Sequence, residues 1–242
     1  MLNQFSRTEL LFGKDTMQIL KQSRVAVFGL GGVGGYAVEA LARSGIGALD
    51  LIDNDVISLT NLNRQIYALH STIGRLKVDI AEQRIHDICP EIKIRKYPCF
   101  YMPDIADQFD FRNYDYIIDA IDTVTGKIEI ILRAEQASTP VISSMGTGNK
   151  LDPTALKISD IYQTSVCPLA RVMRRELKKR NIPKLKVIYS EEEPAKITNY
   201  SETSEHRRAI PASNAFVPST AGLLLASEVI HDLIKTKTCQ VS

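Results

Sequence analysis

Six polar side chains that suit a polyanionic ligand crowd the stretch between residues 53 and 77: Asp53, Asp55, Asn61, Arg64, Gln65 and Lys77. Just upstream, Gly29, Gly31, Gly32 and Gly34 lie in the run GLGGVGG. Glycines in G-x-G-x-x-G spacing let the backbone turn sharply and bring a phosphate up to the N–H groups at a helix start. The helix dipole favours negative charge there. Asp53 stands near the position where an acid holds a ribose hydroxyl. Asp55, two residues on, can point the same way. The glycines alone fit any dinucleotide-binding domain or plain strand-to-helix packing. Charge separates the candidates. A dinucleotide pyrophosphate needs little beyond the helix N-terminus, whereas a nucleoside triphosphate carries about four negative charges and calls for several cations. Arg64 and Lys77 can supply two, so ATP is favoured over NAD.

The order G-x-G-G-x-G, then D-x-D-x(5)-N-x-x-R-Q, then Gly74 and Lys77, resembles the ubiquitin-activating-enzyme superfamily with its bacterial ThiF and MoeB relatives. The resemblance implies that Asp53 grips the ATP ribose and that Asn61, Arg64 and Lys77 hold the phosphates. It also implies a homodimer in which Arg7, within SRTELLFG, reaches the partner's ATP phosphates. ThiF- and MoeB-like enzymes carry two C-x-x-C pairs for zinc. The four cysteines here, Cys89, Cys99, Cys167 and Cys239, form no such pair, and their spacing excludes a four-thiolate site. From SRTELLFG through ALARSGIGALDLID and NRQIYALHSTIG to TSVCPLARVMRRELKKR, the chain is most similar to the tRNA threonylcarbamoyladenosine dehydratases. That likeness implies ATP-dependent dehydration of the modified adenosine to a cyclic form through an acyl-adenylate. The alternative is adenylation of the C-terminal glycine of a ubiquitin-like sulfur carrier, and a sulfur-transfer protein is a candidate partner. An NAD-dependent oxidoreductase would leave Asn61, Arg64 and Lys77 without a task. A non-catalytic RNA-binding module is a further rival.

The elements that must position these groups follow from apolar patterning. Val25–Leu30 reads as a parallel strand buried on both faces. Ala48–Ile52 is the second strand, and residues 54–73 form a polar connection anchored by Leu59, Leu62, Ile66 and Leu69. Arg75–Cys89 is an amphipathic helix ended by Pro90. Strands are expected over 92–97, 114–120, 140–145, 156–158 and 185–190. A short helix is expected over 103–109, and longer ones over 123–137 and 218–236. Before the first strand, Leu10, Leu11, Phe12, Met17, Ile19 and Leu20 suggest a helical lead-in docked on the fold. The sum is one α/β domain over residues 1–242, a Rossmann-like, mainly parallel sheet with helices on both faces. A C-terminal extension with a mobile crossover loop over 191–212 completes it.

Ligands of such sheets bind beyond the carboxyl ends of the strands. Asp122, after YDYIIDA, is therefore placed to hold Mg2+ on the ATP phosphates, which hard carboxylate oxygens suit. A rival role for it is capping the next helix. Asp119 is expected to fix the turn. Cys167 precedes a helix, where a dipole would lower its pKa, but small buried thiols are common and a catalytic role is disfavoured.

The chain has 242 residues, 44% hydrophobic, and a net charge of +2, so no global field marks a nucleic-acid binder. Charge is local instead. Over residues 168–186, Arg171, Arg174, Arg175, Lys178, Lys179, Arg180, Lys184 and Lys186 face only Glu176. A phosphate backbone would be attracted to such a basic helix, which points to tRNA, although a solvated charge run is the usual explanation. No signal peptide or spanning segment is evident, and a reducing cytoplasm is the expected setting.

Overall fold

Runs rich in Val, Ile and Leu, apolar on both sides, become the inner strands of a seven-stranded sheet. The computed structural model describes residues 2–197 and 211–238. In chain order, α1 (Ser6–Phe12) and α2 (Lys14–Gln22) lead into β1 (Arg24–Phe28) and α3 (Gly34–Arg43). Next come β2 (Ala48–Ile52), α4 (Lys77–Ile88), β3 (Lys93–Tyr97), β4 (Tyr116–Asp119) and α5 (Val124–Ala137). The chain then forms β5 (Val141–Ser144), β6 (Leu156–Asp160), α6 (Pro168–Lys179), β7 (Lys186–Ser190) and α7 (Val217–Thr238). The strand order is β3-β2-β1-β4-β5-β7-β6, and β6 alone among these strands runs antiparallel to its neighbour. Val27 pairs with Leu51 on one side and Ile118 on the other. The order reverses between β1 and β4, which makes the crevice at their carboxyl ends the expected ligand site.

Alternation along β1 divides the core. Val25 and Val27 pack with Ala37, Leu41, Leu225 and Val229 from α3 and α7. Ala26 and Phe28 face the other way, toward Ile130 and Ala134 of α5. Phe28 is ringed by Tyr101, Phe109 and Phe111 at centroid distances of 4.8, 5.7 and 5.8 Å. Each such aromatic pair adds about 0.5–1.5 kcal/mol beyond its buried area. These contacts pin the loop after β3 beneath the sheet's ligand edge.

Several expected anchors are not anchors. Leu10 and Leu11 are 89% and 78% exposed, because the seven-residue α1 docks through Phe5 and Phe12. Leu59 and Leu69 also face out, and Tyr67 and Ala68 carry the buried contacts of their connection, together with Leu62 and Ile66. The helix α7 is long and apolar enough, over residues 217–236, to cross a bilayer. Half of it is buried, and Gly222 is so close to α3 that any side chain there would collide with the Val33 carbonyl. It is a core helix. Of the crossover loop expected over 191–212, residues 198–210 lie outside the described residues.

Candidate nucleotide site

The glycine turn joins β1 to α3. Gly29 has φ +90°, and a Cβ there would lie 2.7 Å from the Ala120 carbonyl oxygen, so packing against the β4 loop requires glycine. Gly34 likewise abuts the Gly29 carbonyl. Gly31 differs: a Cβ would meet nothing nearer than Gln65 Nε2 at 3.9 Å. Its bareness serves no neighbour among the described residues and leaves room for a ligand. Among the described residues, no hydrogen bond engages the N–H groups of Gly31, Gly32 or Val33. Three such donors at a helix N-terminus make an anion cradle.

The acidic and basic residues surround that cradle. Asp53 accepts from the Leu30 N–H at 2.7 Å and the Asp55 N–H at 2.8 Å, so it also shapes the glycine turn. Burial pushes the Asp53 carboxyl above its usual range, against the pull of Lys77. Lys77 opens α4, is 4% exposed, and pairs with Asp55 at 2.6 Å and Asp53 at 3.7 Å. Asn61 spends its amide oxygen on the Ser58 N–H, which leaves its amide N–H groups without a partner among the described residues. Arg64 runs beside Gly32, and one nitrogen of its guanidinium donates to Thr60 O and Asn63 Oδ1. Gln65 is buried with its Oε1 unpartnered. A buried polar atom without a partner is costly unless something else completes it. The Gln65 Nε2, not this oxygen, is the atom beside Gly31.

At the end of β4, Asp119 is wholly buried. It takes Lys127 Nζ at 3.0 Å and Ser143 Oγ at 2.5 Å, and its other oxygen holds the Ile121 N–H at 3.3 Å. Asp119 thus shapes the turn that carries Asp122. Asp122 is exposed and does not cap α5, whose N-cap is Thr123 with no side-chain cap bond. Among the described residues its carboxylate accepts only a long bond from Thr123 Oγ1, at 3.5 Å. Sequence reasoning missed Lys127. The signal was there: Lys127 shares its helix face with the buried Ile130, Ile131 and Ala134.

On α6 the cations divide. Arg174 turns inward and donates to the Thr164 carbonyl at 2.8 Å and to its hydroxyl. Arg175, Lys179 and Arg180 gather on Glu176 at 3.3, 3.0 and 3.0 Å, and Lys179 and Arg180 hold the Glu176 carboxyl down at about 2. Arg171 and Lys178 are exposed and have no ion pair within the described chain. Cys167, at the N-cap of α6, is 2% exposed within an apolar cluster, which suits a core thiol. Arg7 is exposed near the start of α1, with no hydrogen bond or ion pair among the described residues. Phe5, two residues earlier, packs at Gly45, ahead of the amino end of β2.

A family model described as ThiF family matches residues 5–241. The chain belongs to the ThiF family. A protein of Bacillus subtilis (strain 168) named tRNA threonylcarbamoyladenosine dehydratase is 45% identical to this ThiF-family chain, over 97% of it and 96% of the relative. Crystal structures of the E. coli tRNA N6-threonylcarbamoyladenosine dehydratase with AMP and with ATP superpose with a TM-score of 0.89 at 31% identity. They cover 97% and 98% of this chain, and it covers 95% and 96% of theirs. A Vanderwaltozyma polyspora protein named adenylyltransferase and sulfurtransferase UBA4 is 37% identical over only 54% of the chain and 30% of its own length.

Proposed function

We propose that the chain is an ATP-dependent tRNA threonylcarbamoyladenosine dehydratase. The observation that carries this reading is the cradle of three N–H groups at Gly31–Val33, without a partner among the described residues and flanked by Arg64 and Lys77, in a chain alike over nearly its whole length to proteins named for that activity. A free carboxylate is a poor acyl donor, because oxide is a poor leaving group. Attack of the substrate carboxylate on the α-phosphorus of ATP forms a mixed anhydride with AMP and expels pyrophosphate. The ureido group of the same nucleoside then attacks the acyl carbon, and AMP leaves with the oxygen. Closure is intramolecular and gains from high effective molarity. No protein nucleophile is needed.

Asp53 and Gln65 suit the nucleoside end of ATP, with Asp55 holding Lys77 toward the phosphates. Lys77, Arg64 and the amide of Asn61 would offset charge that develops on the phosphates. Asp122, exposed and without a cationic partner among the described residues, suits Mg2+, which would supply Lewis-acid stabilisation of phosphate charge. Arg7 would act on a second copy of the chain in a homodimer. Arg171, Arg175, Lys178 and Lys179 would meet the tRNA backbone, with Arg174 bracing their helix. A cytoplasmic setting follows from the tRNA substrate.

Mass spectrometry of nucleosides from tRNA treated with enzyme and ATP tests the reading. Loss of one water from the threonylcarbamoyladenosine is expected, and an unchanged mass would overturn it. The sulfur-carrier alternative predicts pyrophosphate exchange that depends on a carrier protein's C-terminal glycine rather than on tRNA.

A further inference from the structure

The loop after β5, residues 145–152, ties together two segments distant in sequence. Asn149 is the junction. Its N–H donates to the Ala212 carbonyl at 2.8 Å, its Oδ1 accepts from the Ala212 N–H at 2.7 Å, and its carbonyl accepts from the Ala195 N–H at 2.7 Å. One residue thus holds the chain leaving β7 and the chain approaching α7. It does so in the left-handed region, at φ +57°, where Asn is among the few side chains that settle readily.

The segment Asn149 fixes runs beside the nucleotide cradle. Asn63, next to Arg64, donates its Nδ2 to Ser213 O at 3.0 Å. Asn214 donates to Lys150 O at 2.7 Å and caps α7 through the Val217 N–H at 2.9 Å. Pro218 Cβ lies 3.2 Å from where a Cβ on Gly32 would be. Residues 211–218 therefore form a wall between the glycine turn and the β5 loop. Most groups suited to ATP hang on other supports, Asp53 on Leu30, Asn61 on Ser58 and Lys77 on Asp55, while Arg64 meets the wall only indirectly, through Asn63 Oδ1. Stability does not explain the clasp. Ala212 is exposed, so water can replace the bond that Asn149 supplies.

We infer that Asn149 is a positioning residue for the acceptor substrate: it sets the wall at residues 211–216 against which the modified nucleoside presents its carboxylate to ATP. This rests on the dehydratase reading above. Two variants separate its parts. Asn149→Gly keeps the left-handed backbone and removes the side-chain acceptor; Asn149→Asp keeps both. The intact enzyme would be assayed for kcat/KM toward tRNA carrying threonylcarbamoyladenosine, for ATP affinity by calorimetry with Mg2+, and for Tm. Misplacing a reactant by a fraction of an ångström costs far more in rate than in binding, so Asn149→Gly should lower kcat/KM for tRNA by about tenfold. ATP Kd should stay within about twofold, Tm should hold, and Asn149→Asp should restore turnover to within about twofold of the wild type. Unchanged tRNA turnover in Asn149→Gly overturns the inference. So does a parallel fall in ATP affinity and Tm, or an Asp variant as poor as the Gly one. A wild type that never dehydrates the nucleoside overturns the dehydratase reading and this inference with it; an active wild type matched by Asn149→Gly overturns the inference alone.

Discussion

On the β1–β2 side of the crevice, the groups proposed to meet ATP come from one short stretch of chain, residues 29–77, and support one another locally: Asp53 on Leu30 and Asp55, Lys77 on Asp55. On the β5–β7 side nothing so contiguous exists. There the surface is assembled from residues 149, 150, 195 and 212–214, joined by side-chain and backbone hydrogen bonds, and it reaches back across 150 positions to Asn63 of the first stretch. The first side is written as a motif because phosphate chemistry demands fixed donors close to a helix start. The second is built from tertiary contacts, which leave no fixed spacing in the sequence.

The contrast can be broken most forcefully at Lys77. Lys77→Ala should reduce dehydration by on the order of 10²–10³-fold, as the loss of one preorganised charge-stabilising group does. Nucleoside mass spectrometry at saturating tRNA reads this. Because Lys77 is buried beside Asp53, some loss of Tm should accompany it. Asp122→Ala comes next, with a drop of on the order of 10²-fold that excess Mg2+ partly repairs. A turnover indifferent to Lys77→Ala would mean that the motif side does not bind the phosphates.

Lys127→Met probes the buried pair beneath both sides. Removing the buried cation paired with Asp119 should cost about 3–5 kcal/mol, seen in urea unfolding. A cost near zero would show that Ser143 suffices. Smaller effects belong to α6. Reversing Arg175 and Lys178 to Glu should weaken tRNA binding and lower the salt slope by about one for every phosphate that is no longer neutralised. If the slope does not move, α6 is only solvated surface. The smallest change is acid-dependent. Glu176, held at about 2 instead of 4.5, contributes stability that is present above the unfolded value and fades as pH falls toward the folded one. Wild type and Glu176→Gln should therefore differ in Tm at neutral pH and converge in strong acid. A gap that persists there would assign the difference to something other than this carboxylate's charge.

The sheet was largely legible, because each inner strand is a short apolar run closed by polar or glycine residues. Val25–Leu30 and Ala48–Ile52 needed little more than that. The cradle was legible too, since Gly29 and Gly34 must be glycine for packing and leave a recognisable spacing. What stayed hidden depends on three-dimensional neighbours. Arg174 reads like its basic companions, and only its proximity to Thr164 turns it inward. Leu10 and Leu11 satisfy an amphipathic pattern, but α1 is too short to bury them. Asn149 carries no motif at all, since its importance lies in backbone groups far along the chain.

Gly222 sets a limit on how far the last helix can be altered. Its lack of a side chain lets α7 lie directly on the backbone of α3 at Val33, the residue that ends the anion cradle. Even a methyl group at position 222 would press on the Val33 carbonyl and wedge the two helices apart. Such an allele should yield an enzyme that works in the cold and fails on modest warming, with nucleotide protecting it against inactivation.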